Sequence, residues 1–256
     1  MDKKRHKLVD AGKLGSIELE NWREYPDHYT ACLWPSNLPS KPSDYGIKSF
    51  HGRTHPEIIF VALDRYTQGD ALVWDPMAGS GTTFDVCSYM GIDCIASDLM
   101  PIREEIIQAD AALWRPEHLV DLVIYHPPYL DIIEWEGDGS LAVGDVKQYV
   151  EMNWDCVDNI YKAMVPGSVL VSILGQVYKG KTVIPLDSLL YPLFSSYFRL
   201  LGRVMRPFGE TKGGKVAKGN KNRNLWKYRH LKSGLWFIDM DVVCFWQKPL
   251  KEVDDG

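Results

Sequence analysis

Two short stretches carry residue types and spacings able to do chemistry together. The first, Asp75-Pro76-Met77-Ala78-Gly79-Ser80-Gly81-Thr82, follows the apolar run Ala71 to Trp74, and a helical pattern starts at Thr82. An apolar run, an acid, a tight turn of small residues and a helix start describe a buried strand ending in a bend. The glycines of such a bend let backbone come close to a ligand, and the helix that follows would aim its free N–H groups there. Asp75 would stand at the carboxyl end of the strand, where open α/β sheets keep their binding crevice. A lone Gly-x-Gly also serves as a plain strand-to-helix connection. Gly91 to Asp98 adds weight, reading as a second strand that ends in an acid. Asp98 lies about twenty residues beyond the glycine turn, the spacing of a carboxylate on a ribose hydroxyl. No GKT or GKS follows the glycines, which argues against a Walker-type phosphate loop. The ligand reads as a nucleoside whose tail need not be a pyrophosphate. The second stretch is His126-Pro127-Pro128-Tyr129, at the end of an apolar strand from Asp121 to Tyr125. Its prolines make a stiff turn, because each ring fixes its own φ and restricts the residue before it. The blandest reading of that stretch is a Pro-Pro loop with a surface histidine.

The stretch from Asp75 to Thr82 resembles the cofactor motif of S-adenosylmethionine-dependent amino-methyltransferases acting on nucleic acid. His126-Pro127-Pro128-Tyr129 resembles their catalytic tetrapeptide, usually Asp, Asn or Ser followed by Pro-Pro-Tyr, with His-Pro-Pro-Tyr in some branches. The two occur in this order about fifty residues apart, and the resemblance runs from roughly Phe50 to Pro249. It implies S-adenosyl-L-methionine as cofactor, held by Asp75, Pro76, Ala78, Gly79, Ser80, Gly81, Thr82, Asp98 and Leu99. It places Asp110 where the family holds the adenine amino group, a helix-capping acid being the other reading. It also places His51 and His55 beside the methionine part of the cofactor, with capping or packing as the equal alternative.

An exocyclic amine on adenine or cytosine is a poor nucleophile, because its lone pair is delocalised into the ring. Attack on a sulfonium methyl needs that nitrogen held in line and partly pyramidal. Two acceptors on its N–H groups would favour this, strengthening as positive charge develops. The resemblance assigns them to the His126 side chain and the Pro127 carbonyl, with Tyr129 stacked on the base. Such stacking is worth about 1–3 kcal/mol. A neutral imidazole keeps one acceptor nitrogen and a protonated one keeps none. With an ordinary pKa of about 6.5, part of His126 would be charged at pH 7. The expectation is an activity that falls on the acid side of neutrality. The displacement needs no metal, and no His/Cys/Asp cluster has ligand spacing. The Pro-Cys pair of cytosine C5 methyltransferases is absent from this stretch, which disfavours methylation at a ring carbon.

Net charge is −5 over 256 residues, which alone argues against a general nucleic-acid binder. Its distribution argues the other way. Between Arg203 and Lys232 there are ten Lys and Arg and one acid, Glu210. That asymmetry is an electrostatic footprint for phosphate, or else a solvated basic loop. Arg206, Lys212, Lys215, Lys218, Lys221, Arg223, Lys227 and Arg229 are the candidate contacts for a DNA duplex whose target base is flipped out. The segment is short for a sequence-reading domain, so a homodimer or a helper subunit could supply further surface. The resemblance leaves three functions open. They are a DNA methyltransferase acting on adenine N6 or cytosine N4, an RNA enzyme of the transfer-RNA guanine N2 kind, and an inactive binding subunit of the same fold. The same tetrapeptide serves both DNA bases, since each offers an amino group.

Hydrophobic residues at 45% and charged ones at 25% suit a soluble globular chain, and no apolar run reaches membrane-span length. Five scattered cysteines without a CxxC pair read as a reducing compartment, hence a cytoplasmic enzyme. Residues 1–49 read as a polar arm followed by a segment rich in Trp, Tyr and Pro, too interrupted by proline for a long helix. That segment either covers the sheet or lines a base pocket. Residues 50–249 make the catalytic domain, with the basic insertion at about 203–232, and 250–256 an acidic tail. Helices are expected at Pro56 to Leu63 (capped by Thr54), Thr82 to Met90, Val143 to Met164 and Pro185 to Ser196. Strands are expected at Ile106 to Asp110, Ser168 to Gly175, Tyr197 to Met205 and Asp239 to Gln247, besides those named above. Alternating strands and helices imply a doubly wound, mostly parallel sheet. The resemblance makes it seven-stranded and Rossmann-like with an antiparallel final strand.

Overall fold

The computed structural model describes residues 15–36, 38, 45–132, 140–208, 228–229, 231–236 and 238–250. Lys212, Lys215, Lys218, Lys221, Arg223 and Lys227 lie outside the described residues, as do the polar arm up to residue 14 and the tail from residue 251. The elements in chain order are α1 (Pro56–Tyr66), β1 (Leu72–Asp75), α2 (Thr82–Met90), β2 (Asp93–Asp98), β3 (Ile107–Gln108) and β4 (Val120–Tyr125). They continue with α3 (Val146–Ala163), β5 (Met164–Leu174), β6 (Gln176–Lys179), β7 (Thr182–Pro185), α4 (Leu186–Tyr197), β8 (Arg199–Pro207) and β9 (Met240–Gln247).

One seven-stranded sheet has the order β3-β2-β1-β4-β5-β9-β8. Pairing is parallel from β3 through β5, and β9 runs antiparallel to both β5 and β8. This is the Rossmann-like doubly wound sheet with an antiparallel final strand. A core of apolar side chains lies on each face. Ile58, Ile59, Leu63, Val86 and Cys87 of α1 and α2 pack on one side with Leu122, Ile124 and Val171 of the sheet. Tyr149, Val157 and Ile160 of α3 and Leu190 and Phe194 of α4 pack on the other with Trp74, Val123 and Trp246. Central strands buried on both faces must be apolar throughout, and β4 and β9 are nearly so. The indole N–H groups that this burial traps are satisfied locally, Trp74 by Ser97 Oγ at 3.0 Å and Trp246 by Ser172 Oγ at 2.9 Å.

Strand order reverses between β1 and β4, whose register sets Trp74 beside Val123. Both motif loops therefore leave neighbouring strands at the same edge of the sheet. The segment before α1 packs on the edge strand. The Trp34 N–H donates to the Met205 carbonyl and the Met205 N–H to the Cys32 carbonyl, while Tyr29, Trp34 and Tyr45 are buried against the α1 face. None of its described residues from 21 to 49 lines the cleft at the loop edge.

Several boundaries differ from the sequence expectation. β5 begins at Met164, ahead of the Pro166-Gly167 pair expected to separate helix from strand. α3 begins at Val146, because Asp145 caps it by accepting the Gln148 N–H at 2.8 Å. β3 shrinks to two residues. The hairpin β6–β7 was not expected.

Candidate active site

One cleft receives both loops. Its wall includes Pro76 to Ser80 from the β1–α2 bend, Asp98 at the end of β2 and Leu99 after it, Asp110 after β3, and His126 to Tyr129 after β4. Phe50 to Thr54, Ile132, Ser140, Leu141 and Cys156 also line it.

The bend is held by the carboxylates at the two strand ends. Asp75 is 3% exposed and lies behind the wall, accepting the Met77 N–H at 3.1 Å and the Thr83 hydroxyl at 2.5 Å. Burial pushes its carboxyl up to about 7, against the pull of those two donors. Asp98 accepts the Gly79 N–H at 2.8 Å and the Met100 N–H at 2.9 Å, one on each oxygen. Each carboxylate oxygen retains a lone pair, so hydroxyls of a bound sugar can still be accepted. Gly79 and Gly81 have φ of 47° and 79°. An added Cβ would stand 2.8 Å from the Phe50 ring at Gly79 and 2.5 Å from the Arg103 guanidinium at Gly81. Their bareness therefore makes room for the chain's own Phe50 and Arg103 as well as permitting left-handed backbone. Gly81 and Thr82 are buried and lie off the wall, with Thr82 Oγ1 3.0 Å from Ser80 Oγ.

Asp110 both lines the cleft and caps the turn after it, accepting the Ala112 N–H on Oδ1 at 2.8 Å. That turn is pinned by the Asn159 amide of α3, which donates to the carbonyls of Ala111 at 2.9 Å and Trp114 at 2.7 Å. The walls beside Asp110 are apolar or small: Ala109, Ala111, Leu99 and Met100. A flat heterocycle with an amine toward Asp110 and a sugar toward Asp98 suits these groups. Cys156 also faces the cleft, but burial pushes its thiol up to about 12, so it is no nucleophile at neutral pH.

The tetrapeptide is tied down at several points. The Tyr149 hydroxyl of α3 donates to the Pro128 carbonyl at 3.0 Å, while no donor among the described residues reaches the Pro127 carbonyl. Leu130 follows at φ 52°, a left-handed conformation rare for a branched side chain, with that side chain 1% exposed in the core. His126 Nδ1 lies 2.8 Å from Thr54 Oγ1 and Nε2 lies 3.2 Å from the Tyr129 hydroxyl. That hydroxyl donates to Asp241 Oδ1 at 3.2 Å, and Asp241 Oδ2 takes the Arg206 guanidinium at 2.5 Å. Burial draws the His126 imidazole down to about 4, with the Asp241 carboxylate opposing and Arg206 assisting. The acid limb expected near neutrality is thereby corrected, since the ring is neutral well below pH 6.

Three further expectations change. Thr54 does not cap α1; it reaches His126, and His55 caps instead, its Nδ1 accepting the Glu57 N–H at 3.2 Å. His55 lies off the wall and its ring is lowered to about 4, chiefly by burial, while His51 is on the wall. Arg206 is 9% exposed and spent on Asp241, so it is an interior ion pair and not a phosphate contact on the surface. Arg203 is likewise paired with Asp187, and of the remaining candidates Arg229 is exposed. Among the described residues no group of three or more His, Cys, Asp or Glu is placed to hold a metal, and no helix is long and apolar enough to cross a membrane. Thr54 and Asp241 were missed as neighbours of His126, because only folding brings them within reach.

No family model matches the chain. It is 27% identical over 109 residues to the type II methyltransferase M.MjaII of Methanocaldococcus jannaschii, a match spanning 43% of this chain and 19% of that protein. The chain thus spans about a fifth of the length of its curated relative. Similar solved structures include the N-methyltransferase NodS of Bradyrhizobium japonicum bound to S-adenosyl-L-homocysteine, at 11% identity, 70% of this chain, 78% of that one and TM-score 0.41. TTHA0409 of Thermus thermophilus, a candidate DNA modification methylase, is similar at 18% identity, 58% of this chain, 55% of that one and TM-score 0.37. TrmN of Thermus thermophilus is similar at 15% identity, 70% of this chain, 44% of that one and TM-score 0.42.

Proposed function

We propose that this chain is an S-adenosylmethionine-dependent methyltransferase acting on the exocyclic amine of a flipped base in DNA, adenine N6 or cytosine N4. The observation that carries the reading is the shared cleft. The bend after β1 and the tetrapeptide after β4 line one cavity, with Asp98 and Asp110 between them. The partial match to a type II methyltransferase agrees with it.

Bound in that cleft, the cofactor would supply an electrophilic methyl on its sulfonium. Asp98 and the bend from Pro76 to Ser80 hold the nucleoside end, and Asp110 meets an amine. The Pro127 carbonyl, free of other donors among the described residues and stiffened by two prolines, accepts one N–H of the substrate amine. His126 accepts the other, and Tyr129 meets the base. Two acceptors of this kind would draw the amine lone pair out of conjugation as its bond to the methyl carbon forms and the methyl–sulfur bond breaks, with a neutral thioether leaving and the surplus amine proton released to solvent. The lysines and arginines between residues 209 and 229 hold the phosphates around the flipped nucleotide. Target reading beyond them falls to a second copy or a helper subunit.

Tritiated methyl transfer to plasmid DNA and to total RNA, followed by nucleoside mass spectrometry, tests the reading. N6-methyladenine or N4-methylcytosine in DNA is the expected product. Methylguanine confined to RNA would move the chain to the transfer-RNA class. Cofactor binding by calorimetry without transfer to either polymer would make it an inactive binding subunit.

A further inference from the structure

We propose that Asp241, acting through the Tyr129 hydroxyl, fixes which ring nitrogen of His126 carries the proton, so that Nδ1 is the acceptor an incoming amine takes over from Thr54. The inference rests on the amine-methylation reading above, but its premise belongs to the chain alone.

The hydrogen count decides it. A tyrosine hydroxyl has one hydrogen, and a carboxylate paired with a guanidinium can only accept. The Tyr129 hydrogen is therefore given to Asp241 Oδ1, 3.2 Å away. The phenol oxygen is left as an acceptor, and the ring nitrogen 3.2 Å from it, His126 Nε2, must be the one that carries hydrogen. Nδ1 is then bare and takes the Thr54 hydroxyl at 2.8 Å. The opposite tautomer would set two acceptors, Nε2 and Asp241, against a single hydrogen.

The carboxylate that imposes this order is itself held firmly. Arg206 and Asp241 face each other directly across β8 and β9, with side chains 11% and 8% exposed. Gly175 leaves the space in which the Tyr129 ring reaches Asp241, since a Cβ there would lie 2.7 Å from the ring and 3.4 Å from Asp241 Oδ1. Burial keeps the imidazole neutral at pH 7, so a single hydrogen is at stake.

The consequence for an amine is directional. Nε2–H would repel a substrate N–H, whereas Nδ1 already receives a hydrogen from a hydroxyl on the cleft wall. The Thr54 hydroxyl turns about a single bond, so an amine entering from the cleft can replace it on Nδ1. Thr54 thus occupies on Nδ1 the position that the substrate's donor would take. Asp241, Arg206 and Tyr129 are positioning residues in this scheme.

The test is nitrogen-15 NMR of histidine-labelled protein at neutral pH, without cofactor or nucleic acid, with His126 assigned by loss of its signals in His126→Gln. The expected result is a protonated-type Nε2 and a bare-type Nδ1. Tyr129→Phe, which leaves the Arg206–Asp241 pair intact, should move both nitrogens toward intermediate shifts as the tautomers mix. The double variant Arg206→Leu/Asp241→Leu, which leaves no buried charge unpaired, should do the same; if it does not fold, the Tyr129→Phe spectrum decides alone. Thr54→Val should leave Nε2 protonated, because the order is imposed from the other side of the ring. A protonated Nδ1 in the unaltered protein, or an unchanged tautomer in Tyr129→Phe, would overturn the proposal. So would mixing caused by Thr54→Val alone. An absence of methyl transfer would sink the functional reading and leave these spectra as they are.

Discussion

Asp98 Oδ2 accepts the backbone N–H of Gly79 at 2.8 Å, tying the end of β2 to the glycine bend after β1. The same carboxylate faces the cleft, so it serves the loop and the proposed cofactor together. Asp98→Ala removes both services. Hydrogen bonds to a charged group contribute about 1.5–3 kcal/mol, so calorimetry should show cofactor affinity falling roughly 10- to 100-fold. Unaltered affinity would take Asp98 out of the binding site.

Gly175→Ala tests the other half of the cleft. Its Cβ would stand 2.7 Å from Tyr129 Cε2, and the backbone there does not have positive φ. The expected outcome is a folded protein with unchanged cofactor affinity whose turnover falls about tenfold or more, as the displaced ring spoils the amine's alignment. Equal loss of cofactor binding would mean that the two halves are not separable.

The pH dependence of turnover follows from burial. His126 and His55 both lie at about 4, lowered chiefly by desolvation. Both rings are neutral across the range from pH 5.5 to 8, so chemistry-limited turnover should show no histidine limb there. A limb centred near the ordinary histidine value of about 6.5 would place solvent around His126.

Asp75 makes a separate prediction about stability. Its folded value, about 7, lies above its ordinary value of 3.8. Between those values the folded chain binds the proton more tightly than the unfolded chain. This contribution therefore favours folding at low pH and is lost as pH rises through about 7. Asp75→Asn, which mimics the neutral form, should melt with a weaker decline between pH 4 and 8 than the unaltered protein. The difference should amount to about 2–4 °C for each kcal/mol removed. Parallel melting curves against pH would show Asp75 charged throughout.

Arg206 and the lysines beyond it should behave oppositely. Arg206→Leu leaves the Asp241 charge buried and unpaired, at a cost of about 3–5 kcal/mol, read as a lower urea midpoint. Neutralising Lys212, Lys215, Lys218 and Lys221 should leave the midpoint unchanged. It should weaken DNA binding and lower the salt slope by about 0.9 for each phosphate no longer neutralised. A salt slope unmoved by those four changes would remove the segment from the interface.

Much of this architecture could be read from residue order. The runs before Asp75 and His126 are largely apolar because their strands are buried, while β2 before Asp98 is only partly buried, and all three end where the cleft begins. Gly91 stops α2 in left-handed backbone, as a helix-ending glycine should. The hairpin β6–β7 was not legible, because four-residue strands give too little alternation to distinguish from loop. Nor were the partners of the tetrapeptide. Thr54 is 72 residues from His126, and Asp241 is 112 from Tyr129. The error over the pKa of His126 has the same origin, since desolvation is a property of the packed molecule. Arg206 looked like one more cation in a basic tract until β9 set an aspartate opposite it.

Helix α3 touches both ends of the cleft, through Tyr149 at the Pro128 carbonyl and Asn159 at the turn after Asp110. Ten residues of α-helix separate those contacts, a rise of about 15 Å. On the proposed reading, the distance between the nucleoside seat and the reacting amine is therefore gauged by a single rod. A one-residue insertion within α3 would rotate and advance one anchor against the other, so adapting this scaffold to a bulkier acceptor calls for changes in the loops that meet the rod, with its length left alone.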